Sequence, residues 1–198
     1  MTGVQTCALP ICISTEAVAA ININSTIENM TFVVLIGAAN SCAIMIGNQI
    51  GAGEEKDAFV YGARFLIISI FLAFVMGGLV LLLRPYILSL YNIEPISYDY
   101  AYRIQFIYAI SAWIRASNLV LFIGILRSGG DTRYALMVEM ASIWLIGVPS
   151  ALIGGFVLHW PVYYVYALVL SEEIVKLAIV LPRFLSRKWI HNLTTITS

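Results

Sequence analysis

The chain has 198 residues, of which 61% are hydrophobic and only 11% are charged. Soluble domains carry about 25% charged residues, so this composition excludes an ordinary soluble domain and indicates a protein of the lipid bilayer. The formal net charge is zero, which removes the electrostatic argument for a nucleic-acid partner.

The first stretch, MTGVQTCALPI at residues 1–11, differs from everything that follows it. It lacks the basic start and the long apolar run of a signal peptide. A widely used short-read sequencing adapter, translated with GTG as the start codon, encodes this same run of residues. We therefore expect residues 1–12 to be a leader of non-native origin, with Cys12 encoded across the join and native sequence beginning at about Ile13.

Five later stretches are long and apolar enough to cross a bilayer, because a spanning helix needs about 20 mostly apolar residues. The predicted spans are about Glu16–Ile50, Phe59–Leu83, Ala101–Leu126, Tyr134–Leu158 and Val162–Leu181. The pair Arg84-Pro85 is expected to stop the second span. Helices satisfy their own backbone hydrogen bonds in lipid, so the sequence predicts an all-α membrane bundle.

Lysine and arginine are concentrated on one side of these predicted spans. The loops 51–57 and 127–133 and the segment 183–189 together hold Lys56, Arg127, Arg133, Arg183, Arg187 and Lys188. The positive-inside rule places these segments and the C-terminus in the cytoplasm of a multi-pass protein of the cell membrane. Five spans then start outside, which suggests a preceding span that the sequence lacks. Most of the aromatic residues near the span ends, a group that includes Trp189, are interpreted as an interfacial belt, with stacking against a drug as the alternative.

Charged side chains inside a span are costly in lipid, so each is a candidate for transport or ion coupling. The candidates are Glu28 in the first span, Arg115 in the third, and Glu172, Glu173 and Lys176 in the fifth. Arg115 shares its depth with the two glutamates, so we predict that they pair across helices. The pair is either structural or an ion or proton relay. Lys176 lies within one helical turn of the glutamates, which permits a local ion pair.

The first span also carries a polar stripe at near-helical spacing. Its members are Asn22, Thr26, Asn29, Gly37, and Asn40 or Ser41. Such a stripe either lines a water-filled cavity or makes hydrogen bonds between helices. The candidates for lining a cleft are Asn22, Asn29 and Asn40, with Asn118 on the third span.

An intramembrane enzyme is disfavoured, and no catalytic residue is assigned. The pair Glu172-Glu173 resembles the EExxxR helix of some membrane proteases, but Leu177 stands where the arginine belongs. The histidines, His159 and His191, lie at span ends. No Cys/His ligand spacing is present, so we predict neither a metal nor a cofactor.

Two ordered motifs resemble the C-terminal lobe of multidrug and toxic compound extrusion (MATE) transporters. They are GNQIGAGEEKDA at 47–58 and GILRSGGDTRYALMVEMASIWLIGVP at 124–149. The resemblance runs from about residue 14 to the end of the chain. It implies that the five spans are helices 8–12 of a twelve-helix, two-lobe transporter, with residues 13–190 in a partial lobe and residues 191–198 in a cytoplasmic tail.

MATE transporters export amphipathic, often cationic, compounds in exchange for protons or sodium ions by alternating access. The resemblance implies that this chain is a fragment of such an exporter, that its partner is the missing N-terminal lobe, and that the isolated fragment is inactive. Sodium-coupled members carry a carboxylate eleven residues before the arginine of an LR motif. That arginine is Arg127 here and the matching residue is Ala116. The proton is therefore the favoured coupling ion, with sodium as the alternative.

Two other functions stay open at this point. One is a non-catalytic membrane module that pairs with a separate lobe, and the other is a flippase for lipid-linked sugars, of similar build. Genomic sequence upstream of Ile13 distinguishes a separate membrane module from a fragment of a longer exporter. A contiguous first lobe that ends in a seventh helix indicates a fragment, and a genuine stop indicates a module.

Overall fold

The computed structural model describes residues 15–91 and 94–190. Most of these residues are helical, in α1 (Thr15–Gly51), α2 (Glu55–Ser89), α3 (Pro95–Leu119), α4 (Thr132–Ser142), α5 (Val148–Leu152), α6 (Val162–Val169) and α7 (Ser171–Leu185). Three π-helical segments, Val120–Leu126, Ile143–Gly147 and Ile153–Val157, continue α3, α4 and α5. The predicted all-α class therefore agrees with the part of the chain that the structure describes.

Four helical stretches of the described residues are long and apolar enough to cross a membrane. They are Glu16–Gly51, Glu55–Ser89, Pro95–Leu126 and Thr132–Val157. The predicted fifth span is divided at Leu170 into α6 and α7, so the count of five is not confirmed. Leu170 keeps right-handed helical angles, with φ −61° and ψ −18°, and its N–H still donates to the backbone oxygen of Tyr166 at 3.2 Å.

The described residues form two compact units, each with its own buried apolar core. Unit 1 contains residues 15–32, 74–91, 94–112 and 142–172, and unit 2 contains residues 33–73, 113–141 and 173–190. The core of unit 1 includes Ala20, Ile27, Leu88, Ile104, Tyr108 and Val162. The core of unit 2 includes Ile46, Ile125, Leu126, Phe184 and Trp189.

The expectation that Arg84-Pro85 stops the second span is wrong, because α2 continues through Pro85 to Ser89. Proline removes a backbone hydrogen bond and crowds the preceding turn. Leu88, three residues later, is fully buried in the core of unit 1, and this burial offsets the cost of proline. Arg84 also donates a hydrogen bond to the carbonyl oxygen of Tyr102 at 3.3 Å and lies 3.4 Å from the centre of its ring.

Trp189, one of the aromatic residues near the span ends, does not belong to an interfacial belt, because its side chain is fully buried in the core of unit 2. The loops that contain Gly53 and Gly130 are short, with residues 52–54 and 127–131 between the helical segments. Gly53 and Gly130 have φ angles of +81° and +90°, in the left-handed region that glycine enters without steric cost.

The backbones of α2 and α3 come close together at Gly77 in unit 1. A Cβ atom at this position would lie 2.9 Å from the backbone oxygen of Ala109. The next residue, Gly78, has nothing within 4 Å of the corresponding position. Close packing at Gly77 therefore depends on the missing side chain, as in other contacts between membrane helices.

The adjacent glycines provide a matched pair of substitutions. We expect Gly77→Ala to lower the free energy of unfolding in detergent by about 1–3 kcal/mol, because the new methyl group meets backbone that cannot move aside. We expect Gly78→Ala to be neutral or to stabilise by up to about 1 kcal/mol, because alanine has the higher helix propensity. Equal effects of the two changes in denaturant unfolding would contradict the close contact at Gly77.

Candidate functional site

A carboxylate inside the first predicted span is held by two hydrogen-bond donors in unit 1. Glu28 is half-buried on α1. Asn24, one turn earlier, donates through Nδ2 to Glu28 Oε1 at 2.6 Å. The hydroxyl of Tyr166 on α6 donates to the same oxygen. Hydrogen bonds to an ionised acceptor are roughly twice as strong as those between neutral groups, so these contacts fix the carboxylate in place.

The two donors to this carboxylate lie beside the apolar core of unit 1. Ile23 and Ile27, on either side of Asn24 along α1, belong to the buried core of unit 1, and Tyr166 packs against that core. The side chain of Asn24 is itself buried, and its Oδ1 accepts no hydrogen bond from the described residues. The hydrogen bond to Glu28 therefore orients the Asn24 amide. A charge in such surroundings costs much more than in water unless a donor stabilises it.

A second polar group lies inside unit 2, where Asn118 on α3 meets Glu173 on α7. Asn118 Nδ2 donates to Glu173 Oε2 at 2.7 Å and to the backbone oxygen of Glu173 at 2.9 Å. Lys176 Nζ lies 3.7 Å from Glu173 Oε1. This contact confirms the predicted local ion pair on the last helix. The amide, the carboxylate and the ammonium group together form one network.

The other charged candidates occupy different places. Arg115 is half-buried on α3 in unit 2, and Glu172 is buried on α7 in unit 1. The predicted pairing of Arg115 with Glu172 or Glu173 stays a prediction, and so does a relay through these groups.

The polar stripe of α1 is exposed along its length, including the candidates Asn22, Asn29 and Asn40. Its hydroxyl groups bond to their own helix: Thr26 donates to the backbone oxygen of Asn22 at 3.0 Å, and Ser41 donates to that of Gly37 at 2.9 Å. Exposed amides do not suit contact with hydrocarbon, because they lose their hydrogen bonds there. The assignment of the asparagines to a cleft stays a prediction. Asn118 differs from the other three because it is buried against Glu173.

Sequence reasoning missed two residues that complete the carboxylate site. Asn24 lies four residues before Glu28, and this spacing places both side chains on one face of a helix. A search of helical neighbours around each intramembrane acid therefore finds it. Tyr166 is 138 residues away from Glu28 along the chain and has no local signal. Across residues 15–91 and 94–190, no three His, Cys, Asp or Glu side chains come together as metal ligands.

Two asparagines on predicted spans test the energetic role of the unit 2 network. We expect Asn118→Ala to lower the free energy of unfolding by about 1–3 kcal/mol, because it removes a donor to a carboxylate and to a carbonyl group in the protein interior. The control is Asn40→Ala, an exposed site where a change within about 0.5 kcal/mol is expected. Equal loss in both variants, measured by unfolding in detergent, would contradict the importance of the contact with Glu173.

The sequence is similar to those of known membrane transporters. The family model described as MatE matches residues 8–153. This range starts within residues 1–12, whose non-native origin stays a prediction. The chain is also 26% identical, over 141 residues, to the multidrug resistance protein MdtK of Yersinia enterocolitica. That alignment covers 70% of this chain and 30% of the other protein.

A solved structure supports the same fold. A MOP superfamily transporter from Pyrococcus furiosus matches this chain with a TM-score of 0.82 and 19% sequence identity, over 99% of this chain and 44% of that one. The chain therefore spans less than half the length of either protein. Because the family model matches well over half of its residues, the chain belongs to the MatE family, that is, to the MATE transporters, which are membrane proteins that transport and not enzymes.

Proposed function

We propose that this chain is part of a secondary active exporter, which moves amphipathic or cationic compounds out of the cell in exchange for protons by alternating access. Membership of the MatE family supports the transport activity, and the multidrug resistance named for the Yersinia protein supports the class of substrate. In this proposal α6 and α7 together form the fifth span. The five spans correspond to helices 8–12 of the complete transporter, with the C-terminus in the cytoplasm.

The group proposed to exchange protons is the carboxylate of Glu28. The observation that carries this proposal is the convergence of the Asn24 amide and the Tyr166 hydroxyl on one of its oxygens inside unit 1. The ionised carboxylate accepts both hydrogen bonds with charge assistance. Protonation removes the charge and weakens both bonds. Gain of a proton therefore loosens the link between α1 and α6, and loss of the proton restores it.

We assign a structural role to the network in unit 2. Glu173 and Lys176 on the same helix neutralise each other, and Asn118 orients the carboxylate. Such a pair lowers the cost of placing charge in an apolar interior without need of a further ion. If Arg115→Ala retains transport at normal protein levels, a relay through Arg115 is excluded.

The isolated chain is proposed to be inactive, because a cleft between two lobes needs both of them. The exposed polar stripe of α1, with Asn22, Asn29 and Asn40, is proposed to face that cleft. The same exposed face suits a membrane module that pairs with a separately encoded lobe, which is the second candidate function. Upstream genomic sequence separates the two, as a contiguous first lobe supports the fragment and a stop codon supports the module.

The decisive experiment uses the complete gene. We expect its product, reconstituted in vesicles, to export a fluorescent organic cation when a pH gradient is imposed. Glu28→Gln should reduce this export at least tenfold and leave binding of the cation intact, because the amide cannot take up a proton. Tyr166→Phe should shift the pH at which export is half-maximal, because it removes one donor to the carboxylate.

The matched control is Glu94→Gln, an exposed glutamate ahead of α3, which should export like the wild type. Export that persists in Glu28→Gln at normal protein levels would show that another group carries the proton. Export driven by a sodium gradient and not by a pH gradient would overturn the proposed coupling ion. Absence of export from the wild type under both gradients would contradict the exporter itself.

A further inference from the structure

In unit 2, Trp189 packs against the loop before α4, a contact that has no role in the proposed transport mechanism. Trp189 follows α7, and its side chain is 0% exposed. It lies directly against Gly129 in the loop before α4. A Cβ atom on Gly129 would lie 2.6 Å from the backbone oxygen of Trp189 and 2.8 Å from its ring carbon Cζ3. Any side chain at residue 129 therefore collides with the tryptophan, and only glycine leaves room for it.

Two further contacts join the loop 127–131 to residues 183–190, which are the end of α7 and the residues that follow it. Gly130 and Ile190 form an isolated antiparallel backbone bridge. The carboxylate of Asp131, which is buried, accepts a hydrogen bond from Nε of Arg183 at 2.8 Å. This hydrogen bond raises the pKa of Arg183 further above its usual range, so the guanidinium stays charged and the ion pair persists. Three consecutive loop residues thus contact three parts of the segment that ends at Ile190.

The segment is also tethered to its own helix. Trp189 Nε1 donates to the backbone oxygen of Phe184 at 3.1 Å, and the two rings stack with centres 6.0 Å apart. Phe184 in turn stacks on Phe59 at 4.9 Å. Between Phe184 and Trp189 the chain reverses at Arg187, which has a φ of +56°. A residue other than glycine is strained in that conformation, so the docked position holds some backbone strain.

We propose that residues 187–190 form a strap, which docks Trp189 against the loop 127–131 and thereby fastens the end of α7 to the connection between α3 and α4. Undocking and redocking of this strap is a conformational step within unit 2. Burial of the indole and the backbone bridge between Gly130 and Ile190 favour the docked state. Strain at Arg187 opposes it.

The test measures access to Trp189 in the full 198-residue chain. The chain has four tryptophans, so Trp113, Trp144 and Trp160 are replaced by phenylalanine and acrylamide quenching reports on Trp189 alone. We expect Gly129→Ala to raise the quenching constant at least threefold, because the methyl group fills the socket. Gly129 has no positive φ angle, so this change acts by steric exclusion and not by backbone strain. The matched control is Gly51→Ala, with nothing within 4 Å, which should leave quenching unchanged.

Backbone amide exchange in the same protein, which keeps Trp189, distinguishes release of the strap from unfolding of unit 2. Release in Gly129→Ala exposes Trp189 and leaves exchange of the amides of residues 177–181 in α7 unchanged. Faster exchange of these amides together with a rise in quenching would overturn the proposal, because the contact would then be an inseparable part of the fold. No rise in the quenching of Trp189 would overturn the steric contact at Gly129.

The wild-type chain must also show the step. We expect the indole N–H of Trp189 to exchange with deuterium at least tenfold faster than the backbone amides of residues 177–181 in α7, because the strap opens while the helix stays folded. If the indole N–H and these backbone amides exchange at the same rate, the strap does not open independently of α7 and the proposal is contradicted.

Discussion

A charged side chain in an apolar interior needs a hydrogen-bond or ionic partner, because it has lost its hydration. This constraint accounts for the polar sites at Glu28 and Glu173. Glu28 has an amide and a phenol directed at one oxygen, and Glu173 has an amide and an ammonium group. The two solutions differ in charge. The two donors described at Glu28 are uncharged groups, whereas at Glu173 a base on the same helix lies beside the acid.

Glycine residues allow close contacts with the backbone at two points of the chain. Gly77 lets α2 meet α3 in unit 1, and Gly129 admits the indole of Trp189 in unit 2. In lipid there is little hydrophobic drive between helices, so close van der Waals packing has to provide the association. Glycine at such points therefore contributes more than flexibility, since each position sets the distance between two elements. Gly78 and Gly51, with open space around them, show that the composition alone does not identify these points.

The sequence predicted what depends on local patterns. Hydropathy located four of the helices, and the spacing of Glu173 and Lys176 on one helix located their ion pair. The end of α2 was mispredicted at Pro85, because the burial of Leu88 is a tertiary effect that local propensity does not contain. The burial of Trp189 was not predicted, for a similar reason. Its place near a span end fitted the membrane interface, but its socket lies in a loop distant in sequence.

The carboxylate site also bears on the choice between protons and sodium. The N–H of Asn24 and the O–H of Tyr166 both donate to Oε1 of Glu28, so the positive ends of these two dipoles face the carboxylate. A sodium ion requires the opposite arrangement, with several oxygen lone pairs directed at one point. For Asn24 and Tyr166 to act as sodium ligands, the amide would have to turn over and the hydroxyl hydrogen would have to rotate away, and the carboxylate would lose these two donors. A proton needs neither change, because it binds the carboxylate itself and only weakens the existing bonds. The donor arrangement thus supports a proton as the coupling ion, on grounds independent of the Ala116 position in the family motif.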